Sequence, residues 1–268
     1  MPDQTFQRMV SEGKAIGSFN LAWNVKVVAV AFNGGTTPLY QLIEKTAMEW
    51  TSHGGELRFS FRNPDNTFRV WSASDKAPAG AIRISFNQRG NWSVVGTLAD
   101  NVPPYEATMN FENYPKKLAQ YFNGKNPKFW MGSYEHSTIL HEFGHALGLS
   151  HEHFHPQCQA DLKLKQAIAW LKNPPNSWDE DQARFNMEAA YYFKVMASNG
   201  FGKDTTPTVA PSIDRESVML YGVFPPEIYT SNLKSPCRPT PPLGYATTLS
   251  KADIAFYLAS YSKIDSPF

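Results

Sequence analysis

Cysteine is scarce in this chain: only Cys158 and Cys237 occur among 268 residues. So small a set excludes a disulfide-dense miniature scaffold, and the wide spacing excludes a structural zinc knuckle. Net charge is scarce as well. The 25 basic and 24 acidic side chains leave +1, with charged residues at 18%, a balance that offers no electrostatic footprint for nucleic acid or an anionic membrane. No apolar run approaches the roughly 20 residues that a membrane-crossing helix needs. Low-complexity tracts and internal repeats are missing, which argues against disordered linkers and solenoid arrays. The opening stretch Met1-Pro2-Asp3-Gln4-Thr5-Phe6-Gln7-Arg8 lacks the charged start, apolar centre and small-residue cleavage site of a secretory signal. Aromatic residues, by contrast, are plentiful at 14%. The length suits one large domain or two small lobes around a substantial core.

The chemistry concentrates in His141-Glu142-Phe143-Gly144-His145-Ala146-Leu147-Gly148-Leu149-Ser150-His151-Glu152. Ile139, Leu140, Phe143, Ala146 and Leu147 recur at helical spacing, which predicts a buried helix. His141 and His145 then share one face, a turn apart, where two imidazoles can hold a single Zn²⁺ with Glu142 beside them to act on water. Gly148 is placed to end the helix, because glycine accepts the left-handed conformation of a sharp turn. That turn can return His151 as a third ligand and leave a fourth position open, as catalytic zinc sites do. His153 and His155 follow closely enough to be confused with ligands, but the spacing from Gly148 favours His151.

Around this core the pattern alternates between strand and helix. Val25 to Phe32 is rich in β-branched residues and ends at Asn33-Gly34-Gly35, predicting a strand. Thr37-Pro38 opens a helix, with Thr37 as its cap and Leu39, Ile43, Ala47 and Trp50 on one face. Leu57 to Phe61 and Ala81 to Phe86 are further strand candidates, Ser93 to Thr97 a possible edge strand, and Ala107 to Phe111 the last strand before the motif helix. Asn91-Trp92-Ser93 matches a glycosylation acceptor, discounted because a sugar there would obstruct the neighbouring edge. Lys163 to Leu171 and Glu180 to Met196 read as helices, and Ser250-Lys251-Ala252-Asp253 as a capping box opening a terminal helix through Tyr261. The stretches 200–215 and 225–244 are loop-rich. Cys158 and Cys237 can form one disulfide or remain two thiols; the sequence leaves both open.

The extended zinc motif, with Glu152 directly after its third His, resembles the astacin-like branch of the metzincin metalloproteases. Ser217-Val218-Met219-Leu220-Tyr221 is similar to the Met-turn of that branch, Ser-x-Met-x-Tyr. More loosely, Trp92 to Thr97 and Thr108 to Phe111 resemble stretches that precede the zinc helix in bacterial astacin-like enzymes. The resemblance implies an α+β, metzincin-like catalytic domain. Its N-terminal lobe, about 21–151, would hold a mixed, twisted five-stranded sheet and two long helices; its C-terminal lobe, about 152–268, would be loop-rich and end in a helix. Residues 1–20 would be an N-terminal arm or short prosegment.

By the same resemblance the chain is a zinc-dependent endopeptidase with one catalytic Zn²⁺ on His141, His145 and His151. Glu142 would be the general base. Tyr221 would stabilise the oxyanion and bind the resting metal weakly. Met219 would form an apolar floor and Glu152 a supporting acid. Val94, Val95 and Gly96 would form the rim of a cleft that pairs with extended peptide. The implied partner is a protein or peptide substrate, with no nucleic acid and no membrane span. A monomer is expected, acting outside the producing cell or inside a host cell rather than resident in the cytoplasm. Arg215, Lys234 and Arg238 could favour acidic substrate side chains. The chain departs from the animal pattern where His153-Phe154-His155-Pro156 replaces Arg-x-Asp-Arg-Asp, in lacking four cysteines, and in lacking a Phe-x-Gly-Asp prosegment motif.

Overall fold

A computed structural model of the chain describes residues 17–122, 130–174, 176–198, 211–221, 224–240 and 244–262. In chain order the strands are β1 (Val27–Phe32), β2 (Arg58–Ser60), β3 (Ile82–Ser85), β4 (Trp92–Ser93) and β5 (Met109–Asn110). The helices are α1 (Thr37–Thr51), α2 (Tyr114–Lys117), α3 (Ala119–Phe122), α4 (Tyr134–Ala146), α5 (Pro156–Asp161), α6 (Leu164–Lys172), α7 (Glu180–Met187), α8 (Ala189–Ser198) and α9 (Lys251–Tyr261).

The strands form one five-stranded mixed sheet in the order β2-β1-β3-β5-β4. Neighbours run parallel except β4, which lies antiparallel on β5 at the sheet edge, with Trp92 opposite Asn110. Val28, Val30, Ala31 and Phe32 of β1 are all buried. An interior parallel strand covered on both faces reads as a continuous apolar run, as this one does. The expected mixed sheet and two long helices are therefore found.

Contacts divide the chain into two compact units. The first comprises 21–149, 247–249 and, among the described residues, 257–262. In it α1 lies along α4, with Leu39, Ile43, Ala47, Trp50, Ile139, Leu140 and Phe143 removed from solvent. Phe143 meets the rings of Phe59 at 5.0 Å and Phe61 at 6.0 Å. The Trp50 indole donates to the Leu140 carbonyl at 2.9 Å, so the polar handle of a buried aromatic finds its partner on the motif helix.

Both ends of α4 are closed by specific bonds. At the start, Ser133 Oγ accepts from the His136 amide at 3.0 Å as an N-cap. At the end, Gly148 adopts φ +100. Its amide reaches His145 O at 2.8 Å, and the Leu149 amide reaches Gly144 O at 3.1 Å, the paired bonds of a Schellman cap. Two orphan carbonyls remain beyond these, and buried side chains take them: Trp23 Nε1 donates to Ala146 O at 2.7 Å and Tyr261 Oη to Leu147 O at 2.8 Å.

The second unit comprises 17–20, Ser150–Ala246 and Ser250–Phe256 among the described residues. Its core gathers Leu162, Ala167, Leu171, Ala183, Met187, Ile213, Leu220, Phe224, Ile228 and Tyr229 around Cys158 and Cys237. Those cysteines are joined as a disulfide with Cα atoms 5.3 Å apart, which decides the alternative the sequence left open.

Three local expectations change. The N-cap of α1 is Thr36 rather than Thr37, and its side chain makes no capping bond. The helix expected over Glu180 to Met196 is broken at Glu188, whose backbone is extended at φ −97, ψ 107. There the Glu188 amide keeps its helical bond to Arg184 O at 2.8 Å, but Gln159 Oε1 accepts from the Ala189 amide at 3.1 Å, so a side chain supplies the partner that a continuous helix would have used. The edge strand expected over Ser93 to Thr97 is only Trp92–Ser93. After the Val94 amide bonds to Thr108 O at 2.8 Å, the chain turns into a 3-10 helix, Gly96–Asn101. Gly96 requires this turn. It has φ +49, and a Cβ there would stand 1.9 Å from the Leu21 carbonyl oxygen.

Candidate metal centre

α4 presents His141 and His145 from successive turns, with ring centroids 4.7 Å apart and planes at 87°. His145 Nδ1 lies 2.8 Å from Leu149 O. A carbonyl only accepts, so Nδ1 carries the proton and Nε2 keeps its lone pair for a metal. The Gly148 turn therefore does two things: it ends the helix, and it supplies the carbonyl that fixes the imidazole tautomer. Just beyond it stands His151. Candidate ligand atoms of His141, His145 and His151 lie within 4.8 Å of one another, and among the described residues this is the one His, Cys, Asp or Glu group able to hold a metal. Three neutral imidazoles are a donor set suited to Zn²⁺ that keeps a coordination position open.

The neighbouring histidines are engaged elsewhere. His153 Nε2 lies 2.7 Å from Asn186 O, and so donates to it. His155 Nδ1 accepts from the Gln157 amide at 3.1 Å as the N-cap of α5. Those bonds give both rings structural duties.

Glu142 is 4% exposed, and its Oε2 has no hydrogen-bond partner among the described residues. Burial pushes its carboxyl up to about 8, because the charged form is poorly solvated there. A dication on the adjacent histidines would act in the opposite direction. An isolated buried carboxylate is costly in an ordinary core, so this orphan oxygen beside the imidazoles is consistent with a metal centre.

In the second unit the Met-turn residues gather around the third His. The Tyr221 ring stands 4.4 Å from that of His151 and 4.8 Å from that of His153. Met219 is fully buried, and its carbonyl accepts from the Glu152 amide at 2.9 Å. Glu152, 1% exposed, accepts through Oε1 from the Asp214 amide at 2.7 Å. Its bond is therefore to the strand of chain leading into the Met-turn.

The structure also places residues that sequence reasoning passed over. The sequence pattern marks Asp253 only as part of a helix cap. It forms that cap, with reciprocal bonds between the Ser250 amide and Asp253 Oδ2 at 2.9 Å and between the Asp253 amide and Ser250 Oγ at 3.0 Å. The same carboxylate also binds the Met-turn. His136, fully buried, lies 2.8 Å through Nε2 from Glu49 of α1, a pair that no local pattern announces.

Of the rim residues, Val94 is half-buried while Val95 and Gly96 are buried. Arg215 donates from Nε to the Arg238 carbonyl at 2.7 Å, Lys234 is exposed, and Arg238 Nη1 is buried. Of these three cations Arg215 is thus turned to a bond within its own unit.

No family model and no curated protein matches the chain. Solved structures do. A structure of myroilysin is 24% identical over 92% of this chain and 98% of its own, with a TM-score of 0.64. A crystal structure of myroilysin is 25% identical over 91% and 86%, with a TM-score of 0.52. High choriolytic enzyme 1, a hatching enzyme zinc-protease from the medaka fish Oryzias latipes, is 16% identical over 90% and 94%, at 0.47. The resemblance to astacin-like proteins drawn from the two motifs is borne out at the level of the fold.

Proposed function

We propose that this chain is a zinc-dependent endopeptidase of the astacin-like kind, hydrolysing peptide bonds of proteins. One observation carries the reading: three imidazoles with ligand atoms within 4.8 Å, followed at the first by a buried carboxylate whose Oε2 has no partner among the described residues. That combination is unfavourable in a plain core and purposeful beside a Lewis acid. The fold shared with myroilysin supports it.

A Zn²⁺ held by His141, His145 and His151 would supply Lewis acidity at a substrate carbonyl and acidify water. Glu142 takes a proton from the attacking water and returns it to the leaving amine. Tyr221 donates its hydroxyl to the oxyanion that develops. Met219 packs as an apolar floor, and Glu152 fixes the segment after His151. The sheet edge at β4, continued by Val94, pairs with an extended substrate. Val95 and Gly96 shape the turn that ends this rim. Residues 21–268 act as one catalytic domain in two lobes. The enzyme works as a monomer, outside the producing cell or within a host cell.

The test is cleavage of unfolded casein and a mixed peptide library by wild type and Glu142→Ala, with zinc measured on both. Cleavage by wild type, a loss of about 10²–10⁴-fold in the variant and equal zinc in both are expected. Equal cleavage by the two proteins would remove Glu142 from the mechanism, and zinc without cleavage in either would point to a peptide-binding role.

A further inference from the structure

The Met-turn has no regular secondary structure, yet the mechanism above asks it to hold a hydroxyl in place. Its stiffness has one conspicuous source. Ser217 Oγ donates to Asp253 Oδ1 at 2.7 Å, and the Val218 amide donates to Asp253 Oδ2 at 3.1 Å. Ser217 Oγ in turn accepts from the Met219 amide at 3.0 Å. Met219 O then accepts from the Glu152 amide, next to His151. Asp253 is fully buried and receives three donors on two oxygens, one of them from its own helix cap. A buried carboxylate so arranged is both solvated by the protein and rigid.

Asp214 completes the frame. Its Oδ1 accepts from the Glu216 amide at 3.0 Å, its Oδ2 accepts from Ser250 Oγ, and its amide donates to Glu152. Asp214 is thereby tied to Ser250, just before α9, and Ser217 and Val218 to Asp253 in its first turn.

We propose that Asp253 is a positioning residue for the reaction. Its carboxylate clamps Ser217 and Val218 so that Met219 and Tyr221 keep their station beside the segment of His151. This rests on the endopeptidase reading above for its catalytic consequence, but not for its structural one. Asp253 itself reaches no reacting atom; it acts through Tyr221.

Two measurements test it on the full chain loaded with zinc. In the first, Asp253→Ala lowers kcat roughly 10–100-fold, the scale of a small misplacement of a reacting group, with KM and zinc content unchanged. Asp253→Asn, which keeps an acceptor for the two amides and a group for Ser217, restores most of it. In a Tyr221→Phe background Asp253→Ala costs no further kcat, because its effect passes through the absent hydroxyl. Losses that multiply in the two backgrounds, or an unchanged kcat in folded Asp253→Ala, would overturn the proposal. Ser217→Ala removes one arm of the clamp and serves if Asp253→Ala does not fold. The second measurement needs no activity: the Met219 methyl and Tyr221 ring resonances shift in Asp253→Ala and return in Asp253→Asn. Unmoved resonances would sink the clamp. Resonances that shift in Asp253→Ala while wild type cleaves nothing would keep the clamp and reject the endopeptidase.

Discussion

The helix that carries His141, Glu142 and His145 and the turn that carries Ser217, Met219 and Tyr221 are built by opposite means. The helix is made locally. Ser133 caps its start, Gly148 its end, and its own heptad-like spacing buries Ile139, Leu140 and Phe143. The turn has a few bonds of its own, from the Glu216 amide to Asp214 and from the Met219 amide to Ser217, and it also leans on a carboxylate 36 residues further along the chain from Ser217. An imidazole pair can be encoded by a short periodic run, whereas side chains on irregular backbone draw on a distant polar anchor. The two stretches should therefore fail differently.

The widest separation is expected on metal and rate. His145→Ala should abolish both zinc binding and cleavage, and chelation of wild type should do the same reversibly. Tyr221→Phe should keep full zinc and lose about 10²-fold in kcat, the loss typical of one oxyanion donor. Metal analysis beside steady-state kinetics reads both, and loss of zinc from Tyr221→Phe would show that the turn is part of the metal site after all.

Next comes stability of the unit that holds the turn. The Cys158–Cys237 disulfide spans 79 residues, so replacing both cysteines by alanine should lower unfolding free energy by about 4 kcal/mol on the chain-entropy account. Denaturant titration checks this. A loss below about 1 kcal/mol would mean that Asp253 and its partners hold the unit without the bridge.

The pH dependence of stability isolates the clamp. Burial raises Asp253 from 3.8 to about 6, with Ser217, Ser250 and Val218 bonds working the other way. A group that binds its proton more tightly when folded stabilises most below its unfolded value, and that contribution is lost as pH rises through the folded one. Stability should therefore fall between about pH 4 and 6, by on the order of 3 kcal/mol from this group, and level off above. Asp253→Asn should flatten that interval, and an identical slope in the variant would assign it to another carboxyl.

The smallest contrast lies between two glycines. Gly96→Ala should cost about 2–3 kcal/mol, since its Cβ would meet the Leu21 carbonyl at 1.9 Å and only backbone can yield. Gly148→Ala, with φ +100, should cost about 1–2 kcal/mol of left-handed strain and shift the Leu149 carbonyl from His145. Thermal unfolding of each variant, with zinc affinity, ranks them.

Much of this protein was legible because it is local. The 3.6-residue period buried α4, the His spacing set the imidazole pair, Gly148 ended the helix as its backbone freedom allows, and Ser250 with Asp253 formed the capping box. Elsewhere local signals were overruled. The apolar run after Ser93 promised a longer edge strand, but the Leu21 carbonyl presses on Gly96 and turns the chain away. Glu180 to Met196 had continuous helical composition, and Gln159, from another helix, takes the amide at the break.

Sequence by itself determined the candidate donor set, the two motifs and the class of fold, because each depends on residue type and short spacing. Tertiary structure alone decided that Cys158 and Cys237 are joined, that His153 bonds to Asn186, and that Asp253 serves the Met-turn as well as its own helix. Those are pairings between groups distant in sequence. Each is worth making only once burial has removed the water that would otherwise satisfy them, and no periodicity records which partner burial will bring.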